Sequence, residues 1–227
     1  MAKARQRNEK QSEREKAIIP RRVAIFLACA ILVCAAIYLV HKSQFGINAF
    51  DTNRQSGSKT DAINKARWAQ RLELPGLPNF HKVSDDLYRG AQPAAEGMRQ
   101  LEKLGIKTVV NLRSFHSDRN EIEGTVLAYE HIYMKTWHPE LEEVVRFLKI
   151  VSDKKRVPVF VHCQRGADRT GTMCAAYRIA VQGWSKDEAI EEMTKGGFGF
   201  HSVWKNLADY IRVLDIDEIK RSAGLNE

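Results

Sequence analysis

The sequence predicts an α/β protein: a single domain with a central, mostly parallel sheet flanked by helices, preceded by one N-terminal transmembrane helix. Three observations carry this. Segments of strand character alternate with segments of helical periodicity from about residue 80 to residue 214, the order that winds into a parallel sheet with helices on both sides. Residues 157–161 (VPVFV) are near-continuously apolar, as a strand buried on both faces requires. Residues 23–40 read VAIFLACAILVCAAIYLV and contain no charge.

At a rise of ~1.5 Å per residue, a helix over 23–40 covers roughly 27 Å, close to the hydrocarbon core of a bilayer. A helix buried in a globular core would keep a polar face, and this run has none. Tyr38 and the following His41-Lys42 suit an interfacial boundary. The small-x-small exit Ala28-Cys29-Ala30 falls mid-run and leaves too short an apolar core for a cleaved signal peptide. The residues before Cys29 and Cys34 fit a lipid-attachment signal poorly, which leaves an uncleaved signal anchor.

Residues 1–22 carry eight Lys/Arg, whereas only Lys42 closely follows the apolar run. The positive-inside bias keeps that basic tail cytoplasmic and sends the rest across. For a bacterial chain this means a single-pass inner-membrane protein with a periplasmic domain. Residues 41–73, with the polar tract Asp51-Thr52-Asn53-Arg54-Gln55-Ser56-Gly57-Ser58, read as a linker. The domain is expected over 74–215, and 216–227 as a C-terminal tail.

Within the domain, Pro75-Gly76-Leu77-Pro78 marks the start, and 80–84 and 87–89 read as short strands. A helix over 93–104 places Met98, Leu101 and Leu104 on one stripe and ends at Gly105. Residues 108–112 and roughly 130–134 are expected strands. The helix from Pro139 onward presents Leu141, Val144, Val145, Leu148 and Val151 at core-facing spacing. Helices are expected at 170–181, after the capping box Ser185-Lys186-Asp187-Glu188, and over 202–214.

The 227 residues are 44% hydrophobic and 28% charged, ordinary globular values, with a formal net charge of +8. Five of those eight charges sit in residues 1–22, while the other 205 residues hold 28 basic and 25 acidic side chains. That is a balanced body with a basic tail, so no nucleic-acid partner is expected. Cys29, Cys34, Cys163 and Cys174 form no C-x-x-C pair, so neither a zinc site nor a dithiol redox centre is indicated.

The chemistry concentrates in His162-Cys163-Gln164-Arg165-Gly166-Ala167-Asp168-Arg169-Thr170-Gly171, lying between an expected strand and an expected helix. Five residues between Cys163 and Arg169 let the backbone curl so that the amides from about Gln164 to Arg169 point inward at an anion, with Gln164, Arg165, Gly166 and Ala167 as the substrate-binding residues. The helix adds its positive N-terminal end. Gly166 permits a backbone angle that other residues resist, and the planar fork of Arg169 can hold two phosphoryl oxygens. The same field stabilises a thiolate at Cys163, set for in-line attack on phosphorus. Thr170 can offer its hydroxyl to the departing sulfur, and His162 can hold the loop.

These residues closely resemble the HCxxGxxRTG signature of the protein tyrosine phosphatase superfamily, and in particular small bacterial dual-specificity-type phosphatases with the loop HC-x-x-G-A-D-R-T-G. The likeness runs over about 79–210 and includes Leu87-Tyr88-Arg89-Gly90-Ala91-Gln92-Pro93, Tyr177-Arg178 and Gly183-Trp184. The resemblance implies a phosphatase domain with a central sheet, no metal or cofactor, and phosphate monoester hydrolysis through a phosphocysteine. It carries over Cys163 as nucleophile and Arg169 as phosphate clamp. Phosphorylated protein is the family's commonest substrate. A phospholipid or inositol phosphate is the alternative, supported by the membrane segment 23–40 and by Arg165, which faces either substrate or solvent. A weak phospho-binding module is a further alternative.

The general acid departs from the pattern. Most of the superfamily places an Asp on a movable loop some thirty residues before the cysteine, but 127–139 contains no Asp. Asp168, inside the loop as in myotubularin-type lipid phosphatases, is one candidate. Glu140, beside Trp137-His138-Pro139, is the alternative, with His138 a lesser one. Cys174 reads either as a resolving thiol or as a buried core residue. Gly196-Gly197-Phe198-Gly199 reads as a turn, and Trp184 and Trp204 as packing residues.

Overall fold

The computed structural model describes residues 34–39 and 65–225. Of the expected membrane segment 23–40, only 34–39 lie among them, and these are helical and exposed. The rest of that segment, the basic tail 1–22 and most of the expected linker lie outside the described residues. Among the described residues no helix is long and apolar enough to cross a membrane.

Six strands form one sheet: β1 (Gln70–Arg71), β2 (His81–Lys82), β3 (Leu87–Gly90), β4 (Thr108–Asn111), β5 (Ala128–His131) and β6 (Val159–His162), in the order β1-β2-β3-β6-β4-β5. The last four run parallel, with β6 between β3 and β4. β1 and β2 add an antiparallel edge, so the sheet is mixed. Central β6 is wholly buried, as its apolar run requires. It starts at Val159 because Pro158 has no N–H to donate to a neighbouring strand.

Side chains alternate across the sheet. Leu87, Val110, Val159 and Val161 face a large core shared with helices α2 (Leu141–Ser152), α3 (Asp168–Ala180), α4 (Lys186–Lys195), α5 (Lys205–Val213) and α6 (Ile216–Ala223). Tyr88, Val109 and Phe160 face a smaller core closed by Met98 and Leu101 of α1 (Ala95–Lys103). Among its thirteen residues, α3 exposes almost nothing. It is packed between the sheet and other helices, which explains why it carries no polar stripe.

Three boundaries differ from expectation. Residues 216–223, expected in the tail, form α6, whose Ile219 and Ala223 enter the large core. Asp215 caps this helix by accepting the Glu218 N–H at 3.0 Å, and Gly224 ends it at φ 72°. The domain also begins earlier than 74, since β1 lies within the expected linker. The strand expected over 130–134 is shifted to 128–131, because pairing of Thr108 with Ala128 and Asn111 with His131 sets its register.

The leading segment is held by a buried ion pair. Arg178 of α3, 2% exposed, donates from Nε and Nη2 to both carboxylate oxygens of Glu192 of α4 at 2.7 and 2.6 Å. Its remaining N–H groups reach Val83 O, Gln182 and Arg67 O, while Glu192 Oε1 accepts the Ala69 N–H at 2.6 Å. The Trp184 ring stacks 4.2 Å from the guanidinium. Removing one partner strands a desolvated charge, a cost of about 3–5 kcal/mol. Glu192→Ala should therefore lower the unfolding free energy of the full-length protein by about that much in urea, read by tryptophan fluorescence. A loss below about 1 kcal/mol would show that the pair does not hold this segment.

Candidate active site

β6 ends at His162 and α3 begins at Asp168, and the five residues between them turn beneath a cavity of about 370 Å³. Cys163, Gln164, Arg165, Asp168 and Arg169 line it, together with Thr136, His201, Val203 and Trp204. The cysteine and the arginine five residues beyond its neighbour thus share one pocket at the N-terminal end of α3.

The direction of the loop's peptide groups decides what this pocket binds. Gln164 O accepts the Gln92 N–H at 3.3 Å and Arg165 O accepts Asn79 Nδ2 at 2.9 Å. Arg89 Nη2 donates to Gly166 O at 2.8 Å and to Ala167 O at 3.4 Å. All four carbonyls are thus tied away from the pocket. The N–H groups of residues 164–167 have no acceptor among the described residues. A tetrahedral anion supplies acceptors where these donors converge, and the helix N-terminus adds a favourable field.

Two features make this winding possible. Gly166 sits at φ 68°, where side chains are strained, and a Cβ there would collide with the Gly90 carbonyl. Arg89 itself is 1% exposed and lies 3.7 Å from the Phe198 ring, so its guanidinium is fixed before it meets the loop. Asn79, at φ 51°, also donates to Phe198 O at 2.9 Å, joining the loop to the turn at 196–199.

Arg169 donates from Nη1 to Leu112 O and Met134 O at 3.2 and 3.4 Å, the carbonyls just beyond β4 and β5. Its other N–H groups have no acceptor among the described residues. Thr170 is fully buried with its Oγ1 unpartnered. Beneath the cysteine, His162 Nε2 donates to Asp118 Oδ2 at 2.7 Å, and both side chains are completely buried. Burial pushes the Asp118 carboxyl up, but the His162 hydrogen bond and charge, with Gln92 and His116, outweigh it and hold the group below its ordinary value.

Asp168 lies in the pocket wall. Its carboxylate accepts the His201 backbone N–H at 2.8 Å and pairs with His201 Nδ1 at 2.9 Å. Arg165 Nη1 donates to His201 Nε2 at 2.7 Å, giving a chain from Arg165 through His201 to Asp168. Glu140 is elsewhere. It is the N-cap residue of α2, its backbone N–H donates to Glu143 Oε2 at 3.0 Å, and it does not line the pocket. His138 is exposed and pairs loosely with Glu140 at 3.8 Å. Cys174 is 2% exposed and burial pushes its thiol up to about 11, which suits a core residue rather than an attacking thiol.

The residues not anticipated from sequence are Thr136, Val203, His201, Asp118, and Arg89 and Asn79 as loop ties. Arg89 lies in a stretch already singled out, Leu87-Tyr88-Arg89-Gly90. His201 and Asp118 had no local signal, because each meets its partner from 33 or 44 residues away.

Residues 76–206 match the family model described as "DSP-PTPase phosphatase fused to NAD+ Kinase". The dual specificity protein phosphatase TpbA of Pseudomonas aeruginosa is 34% identical over 173 residues, covering 75% of this chain and 77% of that one. Inositol diphosphatase SIW14 of Saccharomyces cerevisiae is 25% identical over 188 residues, covering 79% of this chain and 66% of that one. The crystal structure of Pseudomonas aeruginosa TpbA superimposes with a TM-score of 0.63 at 33% identity, covering 70% of this chain and 97% of that one. The catalytic core of yeast SIW14 does so with 0.59 at 25%, covering 68% and 96%. The chain accordingly belongs to the DSP-PTPase family and is a tyrosine/dual-specificity-type phosphatase of the cysteine-dependent superfamily.

Proposed function

We propose that this protein is a membrane-tethered phosphatase that hydrolyses phosphotyrosine and phosphoserine/threonine in proteins through a phosphocysteine on Cys163. The observation that carries this reading is the run of N–H groups, unpartnered among the described residues, from residue 164 to residue 168 around Cys163, with Arg169 in the same pocket. The Cys163 thiolate attacks phosphorus, an S–P bond forms and the ester P–O bond breaks. The loop amides and the Arg169 fork bind the non-bridging oxygens, whose charge is greatest in the transition state. Asp168 gives its proton to the leaving oxygen. A water molecule then attacks the phosphocysteine and returns a proton to Asp168. The S–P bond breaks, Thr170 donates its hydroxyl hydrogen bond to the sulfur, and inorganic phosphate leaves.

Asp168 is preferred to Glu140 because it lines the pocket and Glu140 does not. An aromatic substrate is favoured by the apolar rim: Val203 and Trp204 line the cavity, and Trp137, 61% exposed, follows Thr136. A crystal structure of TpbA, a 32% identical neighbour, is described as a complex with pTyr. A second reading, an inositol or lipid phosphate as substrate, is supported by Arg165 in the pocket wall and by the relatives named inositol diphosphatases. Assay of the full-length protein against phosphopeptides, inositol pyrophosphates and phospholipids side by side separates the two. A higher kcat/KM on phosphopeptides is the expected result.

Cys163→Ser should abolish turnover while retaining phosphate binding, because the amides and Arg169 remain. Steady turnover above a few per cent of wild type would remove Cys163 from its role. Arg169→Lys should also fail, since an ammonium cannot reproduce the bidentate fork.

Leaving-group dependence tests the acid. Proton donation matters most when the departing oxygen is a poor leaving group. Asp168→Asn should lose ~100-fold or more on alkyl phosphates and far less on an activated aryl phosphate. Glu140→Gln should change little. Equal slowing on all substrates would reduce Asp168 to shaping the loop, and a split in Glu140→Gln would transfer the role.

The membrane tether rests on the uncharged run 23–40 and the basic residues before it. A bacterial inner-membrane protein with a cytoplasmic N-terminus and periplasmic domain should resist carbonate extraction. A reporter fused after Glu227 should give a non-cytoplasmic signal, and a cytoplasmic one would reverse the orientation.

A further inference from the structure

The loop after β4 carries a second constellation, away from the phosphate pocket. His116, Asp118 and Glu121 bring one imidazole nitrogen and two carboxylate oxygens within 4.8 Å of one another. His116 Nε2 stands 3.6 Å from Asp118 Oδ1 and 3.7 Å from Glu121 Oε1. Both separations are too long for a hydrogen bond. They are close to the spacing of donors around a tetrahedral ion, since bonds of about 2.0–2.2 Å set neighbouring donors roughly 3.3–3.6 Å apart.

The polar atoms there are also unsatisfied. His116 Nε2 and Glu121 Oε2 are both shielded from solvent and have no hydrogen-bond partner. Buried polar atoms are nearly always paired with protein, water or an ion, so these two neighbouring groups call for a partner. Asp118 is completely buried and already oriented: Oδ2 accepts from His162 Nε2 at 2.7 Å and Oδ1 from Gln92 Nε2 at 2.6 Å. Outer hydrogen bonds of this kind fix ligating carboxylates at metal centres, and Oδ1 retains a lone pair.

We propose that His116, Asp118 and Glu121 form a binding site for a divalent cation of the zinc class, with an open fourth position, one hydrogen bond removed from His162. One imidazole with two carboxylates suits a borderline ion of this class better than Ca²⁺ or Mg²⁺, whose sites are built from oxygen. None of the three residues lines the phosphate pocket, so the ion takes no part in phosphoryl transfer. Its influence on the loop runs through Asp118: a cation on Oδ1 withdraws charge from the carboxylate that holds His162, the residue preceding Cys163.

The test uses the full-length protein carrying Cys163→Ser, so that the thiolate does not compete for metal. Chelator-stripped protein is titrated with Co²⁺, followed by visible absorption and calorimetry, and then with Zn²⁺. One equivalent of Co²⁺ should bind with the intense ligand-field bands of a tetrahedral site, and Zn²⁺ should bleach them. His116→Gln and Glu121→Gln in the same background should each weaken binding at least tenfold while phosphate binding is retained. Absence of the bands, or an unchanged affinity in either variant, would overturn the site and leave a side-chain cluster without an ion. Should His116→Gln fail to fold, the near-isosteric Glu121→Gln decides the question alone.

Discussion

The phosphate site depends on the direction in which four consecutive peptide groups point. A peptide unit is rigid, so turning a carbonyl outward turns the following N–H inward. Here the carbonyls of Gln164, Arg165, Gly166 and Ala167 are each engaged from outside the pocket, by Gln92 N, Asn79 Nδ2 and Arg89 Nη2. A side-chain ring could be truncated and leave the others in place. Loss of the outward ties would instead let the loop turn acceptors toward the substrate, and an anion would then meet oxygens rather than N–H groups.

That constraint propagates into the sheet. Arg89 and Gly90 lie on β3, which pairs in parallel with β6, so the strand that leads into the loop and the strand that braces it are neighbours in register. Gly90 faces the Phe160 ring and Gly166 rests on Gly90, two close approaches in series that exclude side chains at both positions. The carbonyls that carry Arg169 come from the ends of β4 and β5. The site therefore sits at the C-terminal ends of the parallel strands, where ligands bind in open α/β sheets. Behind it, the all-round burial of α3 and the Arg178–Glu192 pair hold the helix whose N-terminus supplies the field.

Two of the groups that sequence reasoning did not bring into the site, His201 and Asp118, act on it through hydrogen bonds. His201 spans Arg165 and Asp168, so these two loop residues are linked through one imidazole. Asp118 anchors His162 from below. Each is a long-range partner of a residue inside the motif, which is why the motif alone looked complete without them.

What the amino-acid order settled by itself is local and periodic. The Cys163-to-Arg169 spacing, the glycine at 166 and the strand–loop–helix context are set within a dozen residues, and they pointed to the phosphatase family and the α/β class. The Ser185–Glu188 capping box is local too, and the helix begins there. By contrast, the shift of the fifth strand to 128–131 came from its register with β4. The helix at 216–223 formed because Ile219 and Ala223 found a place in a core built by distant elements. Which of Asp168 and Glu140 reaches the pocket was also tertiary, since both lie near Cys163 in sequence but only Asp168 lines its cavity. Hydrogen-bond turns and helical periods are written in neighbouring residues. Which side chain faces which across 30 to 120 residues is decided by packing, and packing exists only once the chain is folded.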